Sequence, residues 1–128
     1  MSDRIVLTIP ADSGFDAVAQ LVLGGVAARL NLTYENLDDL GTALETLLER
    51  REDGALTVEL DVDVDGDAIT TTLGPLGEHV LAELERDDGG VGLRRVLETV
   101  TDSFEPVARD GRQWIQLRKS VDRAAGAS

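Results

Sequence analysis

TYENLDDLGTALETLLERR, residues 33–51, decides how the rest of the chain must be arranged. Leu37, Leu40, Leu44, Leu47 and Leu48 recur at spacings of three and four, the period of a helix with one buried side. Thr33 is the expected N-cap, and Glu35, Asp38 and Asp39 fall in the first turns, where carboxylates suit the positive end of the helix dipole. Arg50 and Arg51 suit the other end, and Gly54 is the expected left-handed stop. Glu45 breaks the pattern. It follows Leu44 at the edge of the apolar stripe, where a carboxylate needs a partner or a pocket.

Upstream, RIVLTI at 4–9 places Ile5, Leu7 and Ile9 on one face and ends at Pro10, which predicts a first strand. A helix is expected over 14–30, with Phe15, Val18, Leu21, Val22, Gly25, Val26 and Ala28 on its apolar side. Gly24 and Gly25 weaken it by about 1 kcal/mol each relative to alanine. The reading given to them is close packing against the central helix.

Downstream, Leu56, Val58, Leu60, Val62 and Val64 alternate with Thr57, Glu59, Asp61, Asp63 and Asp65, giving a strand with one apolar and one acidic face. A hairpin turn at Asp65-Gly66 would set Val62 opposite Ile69, Leu60 opposite Thr71 and Val58 opposite Leu73. DVDVDG at 61–66 also matches the opening of an EF-hand calcium loop. Its twelfth position is Thr72 where a bidentate Glu is needed, and carboxylates along a strand do not converge, so a solvated acidic face is favoured over calcium binding.

Gly74-Pro75 closes that strand, and 76–86 predicts a short helix carrying His79, the chain's one histidine, read as solvated. Gly89, Gly90 and Gly92 lead into a helix with Leu93, Val96, Leu97 and Val100 on its inner side. A glycine-rich entry to a helix N-terminus offers free backbone amides to phosphate, although Asp87 and Asp88 would repel an anion there. A second hairpin turns at Asp110-Gly111. It sets Phe104, Pro106, Ala108, Ile115 and Leu117 on the core side and shows Val107, Arg109, Arg112, Arg118 and an exposed Trp114 on the other, a basic counterpart to the acidic first hairpin.

The order strand, helix, helix, hairpin, helix, helix, hairpin predicts an α/β two-layer sandwich, helices on one face of a mostly antiparallel sheet. The 128 residues are read as a single domain, 1–128, with 119–128 a frayed tail. A net charge of −13 argues against nucleic acid and against anionic membrane surfaces. With no cysteine there is no disulfide or thiolate metal site. Without a signal pattern or a long apolar run, the expected location is cytoplasmic, with no membrane association.

The element order, the stretch from Ile5 through Leu48 and the later string GVGLRRVLETVTD resemble the GHKL (Bergerat-fold) ATPases. Within them, they resemble the short anti-sigma factor serine kinases of bacterial partner-switching systems. The resemblance spans about residues 4–119 and implies the histidine kinase-like ATPase architecture. It assigns Glu45 to the family's general base. It assigns the position four residues on, where the family has a Mg²⁺-binding Asn, to Glu49, and the purine-reading DxG to Thr72-Leu73-Gly74, with strand alternation turning Thr72 away from Leu73's face. Gly90, Gly92 and Leu93 match the second glycine box.

The implied cofactor is ATP with Mg²⁺, Glu49 standing as the metal ligand and Thr72, Gly74, Gly90, Gly92 and Leu93 as nucleotide contacts. Of the three boxes, one is half kept, one has lost its key acid and one keeps its glycines. Losing one charge-assisted hydrogen bond costs about 1.5–3 kcal/mol. The favoured expectation is therefore an anti-sigma-factor-like regulator that recognises a sigma factor, an anti-sigma antagonist or its own copy as a homodimer, with nucleotide binding degenerate or lost. The alternative is an active ATP-dependent anti-sigma serine/threonine kinase with Glu45 as base, and a calcium-responsive hairpin is a minor third.

Overall fold

The computed structural model describes residues 2–85 and 92–120. Its sheet holds β1 (Ser2–Pro10), β2 (Thr57–Asp65), β3 (Ala68–Leu76), β4 (Ser103–Arg109) and β5 (Arg112–Ser120) in the order β1-β2-β3-β5-β4. Every neighbouring pair is antiparallel. Four helices, α1 (Asp16–Leu30), α2 (Tyr34–Leu48), α3 (His79–Glu85) and α4 (Leu93–Val100), form the second layer among the described residues. The fold is the expected two-layer α/β sandwich.

Each strand contributes alternate residues to the seam between the layers. Ile9, Val58, Leu60, Val62, Ile69, Leu73, Ile115 and Leu117 meet Leu23, Leu40, Leu44, Leu47, Leu48, Leu93 and Leu97 in one buried cluster. With so few aromatics the seam is built from Leu, Val and Ile, whose branched shapes interdigitate without large rings.

The central helix is capped as expected: the Thr33 hydroxyl accepts from the Asn36 amide at 3.2 Å. It stops sooner than expected, at Leu48, with Glu49 as its C-cap and Gly54 at φ +80° in the turn beyond. α1 ends at Asn31, whose φ of +55° supplies the left-handed stop. α3 is shorter than expected because Leu76 stays in β3.

Four other expectations need correction. The first hairpin turns at Gly66-Asp67, so Val64 faces Ile69, Val62 faces Thr71 and Leu60 faces Leu73. Gly66 takes φ +61°, and Asp65 stays in the ladder opposite Ala68. A shift of two leaves every side chain on its expected face, which is why the alternation alone did not detect it. The second hairpin has the expected register, with Asp110 and Gly111 both at positive φ.

Trp114 is on the expected outer face but is buried, not exposed. Its indole lies over Gly74, where an added Cβ would fall 2.5 Å from the ring, and the Arg109 guanidinium stacks 5.0 Å from its centroid. The glycine leaves a trough in the sheet that the ring fills.

Gly24 and Gly25 do not serve close packing among the described residues, since a Cβ at either would meet none of them within 4 Å. β5 also continues through Lys119 and Ser120, where a frayed tail was expected to begin. The Lys119 ammonium donates to Asp39 Oδ2 at 3.1 Å and to the Val100 carbonyl at 3.0 Å, tying β5 to α2 and to the end of α4. Residues 121–128 lie outside the described residues.

Candidate functional site

Glu45 is the starting point. α1 and α2 lie side by side, and Gln20 Nε2 donates to the Gly41 carbonyl at 3.2 Å across their contact. Above that contact runs an open groove of about 570 Å³, into which Asp16, Asp38 and Glu45 project beside Gly24, Gly41 and Thr42. Tyr34, Asp38, Gly41 and Glu45 follow one another at spacings of four, three and four, so they share one face of α2. That spacing is visible in the sequence, next to the more conspicuous leucine stripe. Among the described residues no lysine or arginine lines the groove.

Past Glu49 the chain is fastened by two arginines. Arg50 Nε contacts both Glu83 carboxylate oxygens at 3.1 and 3.2 Å, and its Nη1 donates to the Thr46 carbonyl at 2.8 Å. This joins the end of α2 to α3. Glu49 itself is exposed, 3.8 Å from the same guanidinium. His79 Nε2 lies 3.6 Å from Glu83. Arg51 grips Asp16 through two bonds of 2.8 Å and donates to the Ala11 carbonyl, and the Asp16 hydrogen bond raises its pKa above the ordinary arginine value.

The positions matched to the nucleotide boxes are spread over three places. Glu45 and Glu49 are one turn apart at the end of α2. Thr72 is buried on the sheet face opposite the helices, between Asp61 of β2 and Gln116 of β5 in the ladder, and Gly74 lies under the Trp114 ring. Gly92 is the extended N-cap of α4, and Leu93 is fully buried. Gly90 lies outside the described residues. Between α2, α3 and α4, Leu47, Val80, Leu93 and Leu97 have no accessible surface and belong to the main core.

The outer sheet face carries its own constellation. Asp61 is buried there and receives Arg4 Nε at 3.0 Å and Nη2 at 2.6 Å, with Arg109 Nη1 at 3.9 Å. Bonding to Asp61 raises the Arg4 pKa. Part of the acidic face is thus an ion-paired surface, and among the described residues no group of acids and histidines is placed to hold a metal ion.

No family model matches the chain. It is 31% identical over 127 residues to serine-protein kinase RsbW of Listeria monocytogenes, covering 82% of this chain and 80% of that protein. The RsbW of Listeria innocua gives the same figures. The RsbW of Halalkalibacterium halodurans is 27% identical over 142 residues, covering 94% of this chain and 85% of that one. Shared identity at this level across most of both chains, on an antiparallel sheet backed by one layer of helices, settles the lineage: the chain belongs to the family of the RsbW serine-protein kinases, anti-sigma-factor members of the GHKL ATPases.

Proposed function

We propose that the chain is an anti-sigma-type regulator that works by recognising a sigma factor or an anti-sigma antagonist, with nucleotide chemistry degenerate or lost. The observation that carries this reading is the position of Thr72. The residue matched to the purine-reading carboxylate is a neutral side chain on the side of the sheet away from α2 and α4. A hydroxyl there makes no charge-assisted bond to an adenine amino group held between the helices.

The other matched positions support it. Glu49 brings a negative charge where a neutral amide would accompany Mg²⁺ and triphosphate, and it caps the helix with its carboxylate in solvent. The indole over Gly74 occupies the space beside that glycine. These residues do not fit an ATP–Mg²⁺ complex as a set. A second copy of the chain is a further candidate partner, through the acidic strand β2 and the basic strands β4 and β5.

The alternative, an active serine kinase, is favoured by the name its relatives carry and by Glu45, an exposed carboxylate beside an open groove. Capture separates the two. The tagged chain, incubated with host lysate, is expected to retain the same sigma factor or antagonist in nucleotide-free buffer and in Mg-ATP. Retention only with nucleotide would refute recognition without turnover.

A further inference from the structure

We propose that the groove between α1 and α2 is a docking site for a basic amphipathic helix of a partner protein, seated against the Gly24-Gly25 backbone. The inference rests on the reading of the chain as a protein-recognition module and names the surface and the chemistry it selects.

Three observations converge on it. Two consecutive glycines in the middle of α1 cost about 1 kcal/mol each in helix stability. Among the described residues nothing calls for them, because a Cβ at either position would meet open space. An element approaching from outside does call for them, since it reaches the backbone only where side chains are absent.

The surface around the glycines is also apolar where a solvated helix would be polar. Leu21, four residues before Gly25 on the same face of α1, is 75% exposed and Tyr34, on the α2 wall of the groove, is 81% exposed, with Val18 exposed one turn before Leu21 and Phe15 exposed just ahead of α1. Tyr34 and Leu37 line the groove of about 570 Å³, and Leu21 lies in sequence between its lining residues Gln20 and Gly24, so apolar side chains stand in and beside a site that can take the apolar stripe of a helix.

Charge selects the occupant. Asp38 and Glu45 line the groove without an ion-pair partner among the described residues, and no cation lines it. A helix with leucines facing Leu21 and Gly24, and lysines or arginines along its flanks, satisfies both walls. A second copy does not, because each chain carries −13 and this face adds carboxylates of the same sign. The two helices forming the walls are each 15 residues long, so an occupant of about 14 residues spans the groove.

The test uses fluorescence anisotropy with a labelled synthetic Leu/Lys amphipathic peptide of about 14 residues. Controls are its scrambled sequence and a version with Glu for Lys. The wild-type chain is expected to bind the basic amphipathic peptide at least about tenfold more tightly than either control. Gly24→Leu fills the groove without changing charge, improves helix propensity and is expected to keep or raise the melting temperature while weakening the peptide at least about tenfold. Leu21→Asp is expected to weaken it in the same direction.

Failure of the wild type to bind would overturn the proposal. So would a Gly24→Leu chain that binds like wild type, which would reduce the effect to general attraction by an acidic protein. Sedimentation showing a dimer that Gly24→Leu dissociates would assign the face to a second copy. The peptide assay contains no nucleotide, and the captured partner serves as an independent readout. If Gly24→Leu still captures it from lysate, the groove is refuted while the recognition reading stands.

Discussion

Trp114 shows what a single residue adds beyond its place in a pattern. Alternation along β5 put it on the face away from the helices, correctly, and its burial followed from a residue on another strand, Gly74, which no local pattern links to it. Trp114→Ala should lose about 3–5 kcal/mol of stability in urea denaturation, because the ring fills a trough that cannot close around a methyl group. Gly74→Ala should cost about 1–3 kcal/mol in the same measurement by driving a Cβ into the indole. A surface tryptophan would leave both values near zero. Gly24→Ala and Gly25→Ala act in the opposite direction: each should raise stability by up to about 1 kcal/mol, since the new methyl meets open space in a helix.

At the scale of elements, α2 was the most legible part of the chain. Its leucines, its Thr33 cap and its place beside the sheet all follow from a 3.6-residue period and a capping hydroxyl, which are local properties. Thr33→Ala should cost about 1 kcal/mol, read from the denaturation midpoint, by freeing the Asn36 amide. The hairpins were legible by face and less so by register. Asp110-Gly111 fell where expected, whereas Gly66 served the first hairpin as the first turn residue and not the second, a choice two neighbouring acids and one glycine left open. Asp38 was readable only as a first-turn acid of α2 and Asp16 not at all, because their meeting in the groove depends on how α1 packs on α2, a tertiary relation. Their helical spacing was visible, but their convergence was not.

For the whole molecule, the two layers were readable because every strand had one apolar face and α2 and α4 one apolar stripe each, whereas α1 buries Ala19, Leu23, Val26 and Ala27 and leaves Phe15, Val18, Leu21 and Ala28 of its expected apolar side exposed. The closures between elements were not readable, and these are largely ionic. Glu52 is bound by Arg112 at 2.8 Å, which holds its carboxyl below the ordinary value. Asp102 accepts the Ser120 amide at the end of β5 and is likewise held low, chiefly by that backbone bond. A carboxylate with a depressed folded pKa contributes stability above its unfolded value and loses that contribution as pH falls through the folded one. Melting temperature should therefore be flat near neutrality and fall below about pH 4. Glu52→Gln and Asp102→Asn together should flatten that fall.

Isothermal titration calorimetry with Mg-ATP tests most directly whether the retained scaffold has had its nucleotide contacts replaced. The chain is predicted to give no saturable heat up to about millimolar nucleotide, while remaining folded by circular dichroism. A saturable isotherm with a micromolar dissociation constant, abolished by Glu45→Ala or Glu49→Ala, would contradict it.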